Sequence, residues 1–332
     1  MTTHPEPLGE PATEMTWRHR FTVLTAGTTV LLFAWGAFVT SINAGLAVPD
    51  WPSSFNSYDP FNPWPEWWRL MPVLAEHGHR LVGALVGILT LILAVWTWIA
   101  DSRRWMKYLS VGALLLVSLQ GTLGGLRVVL LSLDLAVVHA CIAQVFFGLI
   151  VALALFTSRP WLTGDRGTYE ASDARGMRRT AWLTVAVLYV QIILGALLRH
   201  PGTGIDPMLA GLHILGAIIT TAAIFLLFRR ASARHRGTHL LYPAARWMVV
   251  LVAIQFALGL TAFVVTLDDS GMLDPSNLQV VVNTAHMVTG ALLMGCAVAA
   301  AVDATRLGRD PSNEKYTDPA NSVILQQPSL SR

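Results

Sequence analysis

Predominantly apolar stretches of about twenty residues recur along the chain near 20–42, 73–100, 108–130, 134–157, 180–199, 207–228, 245–267 and 279–302. Each is long enough to cross ~30 Å of hydrocarbon as an α-helix, and short polar or turn-forming segments separate most of them. The pattern predicts an all-α membrane protein with eight transmembrane helices. The connection after the first span is about 30 residues long, whereas the one after the fifth is under 10.

A second pattern lies inside the first. Gln120-Gly-Thr-Leu-Gly124, Gln191-Ile-Ile-Leu-Gly195 and Gln255-Phe-Ala-Leu-Gly259 place one motif in the third, fifth and seventh spans, and Leu32-Phe-Ala-Trp-Gly36 is a degenerate copy in the first. On a larger scale His79 maps onto His213, Gln120 onto Gln255 and His139 onto His286 at similar offsets. This predicts two duplicated four-helix bundles, at 20–157 and 180–303. A cytoplasmic tail (1–19), a cytoplasmic linker (158–179) and a disordered cytoplasmic tail (304–332) complete the expected organisation.

Composition and charge sharpen this picture. With 54% hydrophobic and only 13% charged residues, the chain does not resemble a soluble domain. All but four of its 23 Lys and Arg fall in the tails or in the loops after the second, fourth and sixth spans; the exceptions are Arg69, Arg80, Arg127 and Arg199. Basic residues are retained on the cytoplasmic side, so both termini are expected inside. The net charge of +3 follows from that asymmetry and gives no nucleic-acid footprint. Neither a transit peptide nor a cleavable leader is read in the first 20 residues, which carry Glu6, Glu10 and Glu14.

Four ionisable residues then need an explanation. His79, His139, His213 and His286 all lie near the outer ends of even-numbered spans, where an imidazole is costly unless it faces the bundle interior and meets a partner. Two per bundle suits axial ligation of a heme iron, since the porphyrin supplies the other four nitrogens. Gly83, Ala143, Ala217 and Gly290, each four residues after a histidine, were the expected source of room for such a guest. Zinc fits less well, because no cysteine or second carboxylate completes a tetrahedral set. Cys141 and Cys296 read as small buried hydrophobes. His77 is predicted to point away from His79, and His19, His200, His235 and His239 to be solvated in tails or loops.

Glu76 is the one glutamate within a span, and its i,i+3 spacing puts it on the same helical face as His79. A carboxylate there is a candidate acid, base or charge stabiliser, with an i,i+4 ion pair to Arg80 as the plainer alternative. A di-iron bundle would need a second Glu-x-x-His and two further glutamates. In the second half Ala210 stands three residues before His213, so the two sites are expected to be chemically unequal. The intramembrane glutamines read as interhelical hydrogen-bonding groups.

These residues resemble the heme A synthases of bacteria and mitochondria, from about Phe21 to about Asp303. The likeness rests on Glu76-x-x-His79-Arg80, on Gly45-Leu-Ala-Val-Pro-Asp-Trp-Pro52, on Gln120-Gly-Thr-Leu-Gly-Gly-Leu126 with His139, on Gln191 through His200, and on His213 and His286. Some members carry a cysteine pair in the first outer loop. This loop has none, as in the cysteine-free branch. The resemblance implies oxidation of the C8 methyl of heme O, through an alcohol, to the formyl group of heme A used by terminal oxidases. It further implies a resident heme b on His213 and His286, substrate heme on His79 and His139, and an essential Glu76. Arg80, Arg127 and Arg199 become candidate propionate contacts, with interfacial snorkelling as the alternative. The expected partners are heme O, a heme O synthase, cytochrome oxidase assembly proteins and the bilayer of a bacterial cell (inner) membrane. Two other functions would also use the histidines: a two-heme electron-transfer protein, and a heme carrier or assembly factor.

Overall fold

A computed structural model gives the fold and describes residues 12–165, 167–168, 173–199, 206–268 and 275–307. Most of the two predicted tails and His200 lie outside these. Eight long helices, each apolar enough to cross a membrane, are present among the described residues. They are α1 (Ala12–Ser41), α3 (Met71–Ala100), α4 (Arg104–Val129), α5 (Leu133–Phe156), α7 (Ala174–Arg199), α8 (Pro207–Arg234), α9 (Leu241–Asp268) and α10 (Asn277–Ala304). Short helices α2 (Glu66–Arg69) and α6 (Arg159–Leu162) and a two-residue ladder, β1 (Gly167–Thr168) with β2 (Gly237–Thr238), lie between them. The chain is a multi-pass membrane protein. Leu85, Ile88, Leu91, Ile92 and Val95 along α3 are all roughly half exposed, an apolar surface that only a bilayer covers.

Helices are the required solution because hydrocarbon offers no partner to a backbone amide. Their ends are capped where the chain leaves that medium. Ser132, Asp206 and Ser276 accept from the amides of Leu135, Leu209 and Gln279 at the starts of α5, α8 and α10. Threonines inside the spans return their hydroxyls to carbonyls one turn back, as Thr22 does to Arg18 and Thr29 to Thr25. Several helices outrun the apolar stretches: α7 begins at Ala174 and α8 continues to Arg234. Hydropathy marks the thickness of the hydrocarbon, while a helix continues into water as long as its backbone bonds do.

Helices α1, α3, α4 and α5 touch in a closed ring, and α7, α8, α9 and α10 do the same. The two rings meet along α5 and α10, with α1 against α10 and α5 against α7 on either side. At this seam a methyl on Gly148 would come within 3.3 Å of Val298, and one on Gly295 within 3.0 Å of Phe147 and 3.7 Å of Val151. The spacing that relates His139 to His286 also relates Gly148 to Gly295 and Val151 to Val298, so these contacts are reciprocal.

The larger buried apolar cluster of each ring sits toward the end opposite the histidines. In the first it comprises Val86, Leu93, Met106, Ala113, Phe146, Ile150 and Leu153. In the second it includes Met177, Ile224, Leu227, Met248, Leu293 and Ala297. Both cores begin well inward of the histidines. The rim at that end is tied by Arg18 and Arg103 on Asp101 (3.1 and 2.7 Å). Two predicted solvated histidines belong to this rim instead. His19 lies within α1 and bonds the Ala154 carbonyl at 3.0 Å, and His235 at the end of α8 is fully buried. Packing between segments, invisible to hydropathy, buries His235 fully and His19 in part.

Candidate functional site

The four histidines occupy equivalent places, His79 on α3, His139 on α5, His213 on α8 and His286 on α10. Each imidazole rests on the glycine of the repeated motif in the neighbouring odd-numbered span. A methyl on Gly36 would lie 2.9 Å from His79 Cε1, on Gly124 3.2 Å from His139 Cε1, on Gly195 3.0 Å from His213 Cε1, and on Gly259 2.9 Å from His286 Cε1. At Gly36 and Gly259 these contacts are closer than real Cβ atoms show, and at Gly124 and Gly195 they are tight enough that the ring would have to shift, so the missing side chain is what lets ring and helix approach. Gly83 and Gly290, four residues after His79 and His286, face Leu32 (4.0 Å) and Gln255 (3.5 Å) of the same motifs.

In the second bundle the rings of His213 and His286 are 6.4 Å apart, centroid to centroid, at 68°. Gln191 Nε2 lies 3.1 Å from His213 Nδ1 and donates to the His213 carbonyl at 2.9 Å, while Gln255 Nε2 is 3.2 Å from His286 Nε2. In the first bundle His79 and His139 lie within electrostatic range of each other, and Arg80 and Arg127 act on the same ring. Gln120 is 7% exposed, and neither atom of its amide makes a hydrogen bond. His79 Nδ1 and His286 Nδ1 are likewise buried without a hydrogen-bond partner.

Glu76 is 3% exposed and bound on both oxygens. Oε1 pairs with Arg80 Nη2 at 2.9 Å, and Oε2 accepts the Val48 amide at 2.9 Å. The guanidinium of Arg80 continues to the carbonyls of Val48 (2.8 Å) and Asp50 (2.6 Å), closing a network between α3 and the loop after α1. The other two arginines end nearby: Arg127 donates to Gly45 O in that loop at 2.8 Å, and Arg199 to Thr40 O in the last turn of α1 at 2.9 Å. Trp51 packs its ring face onto Gly125 of α4, leaving no space there for a Cβ. Further along, His77 points away from the His79 site and donates to Pro60 O at 2.8 Å beside Trp67.

Asp50 organises the tip of this loop by accepting from the Ser53 hydroxyl and from the amides of Phe55 (2.7 Å) and Asn56 (2.8 Å). Partial burial opposes its ionisation, but the Ser53 hydroxyl and the two amides outweigh that and hold its carboxyl below the ordinary 3.8. The long outer loop is thus a structured cover over the first bundle.

The donor set fits two axially held hemes better than a protein-only metal centre. Among the described residues no three His, Cys, Asp or Glu side chains converge, whereas each bundle brings two imidazoles together outward of its packed core. Cys141 and Cys296 are both free, as expected. The sequence reading missed the glycine seats and the histidine partners of the glutamines. The signal was present in the fixed Gln-to-Gly spacing of the motif.

Comparison with known proteins adds the family context. A family model described as cytochrome oxidase assembly protein, COX15-CtaA, matches residues 19–211. The chain is similar to the heme A synthase of Symbiobacterium thermophilum, 30% identical over 268 residues that cover 70% of this chain and 82% of the relative. It is also similar to the heme A synthases of Halalkalibacterium halodurans (27% over 270 residues, 73% and 85%) and Alkalihalophilus pseudofirmus (28% over 183 residues, 54% and 59%).

Proposed function

We propose a function from the premise that this chain belongs to the COX15-CtaA family, that of the heme A synthases: it is an oxidoreductase of heme A biosynthesis that converts heme O to heme A. The reaction oxidises the C8 methyl of heme O to a formyl group by way of an alcohol, a four-electron change overall. His79 and His139 hold the substrate heme, and His213 and His286 hold a resident heme b. The observation that carries this reading is the fourfold seat of histidine on motif glycine, combined with a carboxylate in only one of the two bundles.

When bound, the resident heme would supply one-electron redox capacity, and the protein orients, shields and moves protons. His79 and His139 set the height of the substrate beneath the Val48–Trp51 loop. Glu76 stands one helical turn from His79, where its carboxylate accepts a proton released at the methyl carbon or balances positive charge developing there. Its bonds to Arg80 and Val48 N hold it in one orientation while the loop excludes water. The propionates fall to Arg127 and Arg199, which retain donors beyond their single carbonyl contacts. Arg199 Nε is buried and has no hydrogen-bond partner. Arg80 is already committed to the loop.

The protein sits in a bacterial cell membrane with both termini cytoplasmic, which puts the histidines and the loop at the outer face. A heme O synthase feeds it and cytochrome oxidase assembly receives its product. The decisive experiment is mass analysis of hemes B, O and A in cells with and without the chain. Heme A present only with the chain is the expected result; heme O and heme A unchanged by the chain would leave an electron-transfer or carrier role instead.

A further inference from the structure

Gln120 lies on α4 one turn from Gly124, the seat of His139, on the side toward the packed core. It is 7% exposed, and neither its amide nitrogen nor its amide oxygen has a hydrogen-bond partner among the described residues. The other two motif glutamines stand differently. Gln191 donates to the His213 carbonyl at 2.9 Å, and Gln255 Nε2 lies 3.2 Å from His286 Nε2, which leaves each with only its oxygen unpaired. The difference has a steric cause. The Gln191 amide is set against Gly216, three residues after His213, where any Cβ would strike its oxygen. Ile142 occupies the matching place after His139, and its β-branched side chain closes that pose to Gln120. A buried amide with both ends unpaired is costly, and a guest that offers a donor and an acceptor together removes the cost.

We propose that Gln120 is the specificity residue of the first bundle and recognises the hydroxyl group on the tail of heme O. The proposal rests on the reading that His79 and His139 hold the substrate heme. Heme O differs from heme B at one rim position, where a hydroxyl-bearing farnesyl chain replaces a vinyl group. Around the porphyrin that position lies across the ring from one propionate, whereas the C8 methyl adjoins the other. Glu76 precedes His79 by three residues and Gln120 precedes Gly124 by four, on helices that run in opposite directions. The carboxylate therefore stands ~4.5 Å from the histidine level toward the Val48 loop, and the amide ~6 Å from that level toward the core. These are the two sides on which a heme with its propionates at Arg127 and Arg199 carries its C8 methyl and its hydroxyl. The hydroxyl both donates and accepts, as the amide does. A vinyl group at the same place leaves the amide unpaired, so heme B is rejected although its iron and propionates match.

The test is titration of the purified full-length protein, its resident site filled with heme b, against heme O, heme B and dehydrated heme O, which keeps the long chain but has lost the hydroxyl. Difference absorption spectra read binding at the first bundle. The wild type should bind heme O about 10- to 100-fold more tightly than dehydrated heme O, and heme B at least as weakly as the latter. Gln120→Leu should lower the affinity for heme O by that factor and leave dehydrated heme O nearly unchanged, with the resident heme b spectrum intact. Gln120→Glu, which keeps an acceptor for the hydroxyl proton, should fall between. Equal affinity of the wild type for heme O and its dehydrated form would overturn the proposal, whether or not Gln120→Leu folds. A loss in Gln120→Leu shared equally by all three hemes would overturn it too, because it marks a structural amide. If His79→Ala and His139→Ala left heme O binding intact, the reading of the first bundle as the substrate site would fail instead, an outcome separable from the others because it does not involve Gln120.

Discussion

The two bundles share a scaffold and differ in what surrounds their histidines. In α7–α10 both histidines meet a glutamine of the adjacent helix, the connection after α7 is short, and alanine stands three residues before His213 where Glu76 stands before His79. In α1–α5 Gln120 makes no hydrogen bond, Glu76 is present, and a long loop is held by Arg80 and Arg127. The seat of each imidazole on a glycine is common to both. One framework therefore carries two histidine pairs with different surroundings, and under the proposed function that difference is what would separate a resident heme from a reacting one.

The largest expected effect tests whether the bundles divide their roles at all. His213→Ala or His286→Ala should abolish the low-spin b-type spectrum of the purified protein, while His79→Ala should leave most of it. Equal loss from all of them would erase the distinction. Next comes Glu76→Gln, which keeps size and hydrogen-bonding capacity but removes charge and proton acceptance. Cells carrying it should accumulate heme O and lose heme A formation by about two orders of magnitude or more, with heme b retained. Normal heme A at matched protein level would reduce Glu76 to an anchor for Arg80 and Val48.

The glycine seats give an intermediate test. Gly259→Ala should lower heme b occupancy by displacing the His286 ring, whereas Gly36→Ala should spare heme b and impair heme A formation; absorption spectra and heme extracts separate the two. The smallest effect concerns the cover. The Asp50 carboxyl is held below 3.8, so its contribution to loop order is complete above that value and lost as pH falls through its lowered pKa. Tryptophan fluorescence of the wild type should report loosening around Trp51 only in that acid range. Asp50→Asn, which removes the charge, should show part of the same change at neutral pH and slow heme A formation only a few-fold.

Much of this protein was legible in its sequence, and for a physical reason. A bilayer forces each crossing to be about twenty apolar residues of helix, so the spans could be read as runs, and it makes every intramembrane His or Glu conspicuous. His79, His139, His213, His286 and Glu76 were found that way. Helical periodicity likewise told that His77 turns away and that Glu76 reaches Arg80, because both relations are local. What surrounds them was decided only in three dimensions. The glycine beneath each imidazole lies on a different helix from the histidine, so a reading along one helix could not find Gly36 and Gly259 as seats. The convergence of Arg80, Arg127 and Arg199 on residues 40–50 joins segments up to 159 positions apart. The full burial of His235 and the partial burial of His19 depend on contacts with distant segments. Apolar length and ionisable cost are properties of a residue in its own segment, and sequence alone determined them here; register between helices arises from packing against a partner, and the tertiary structure had to supply it.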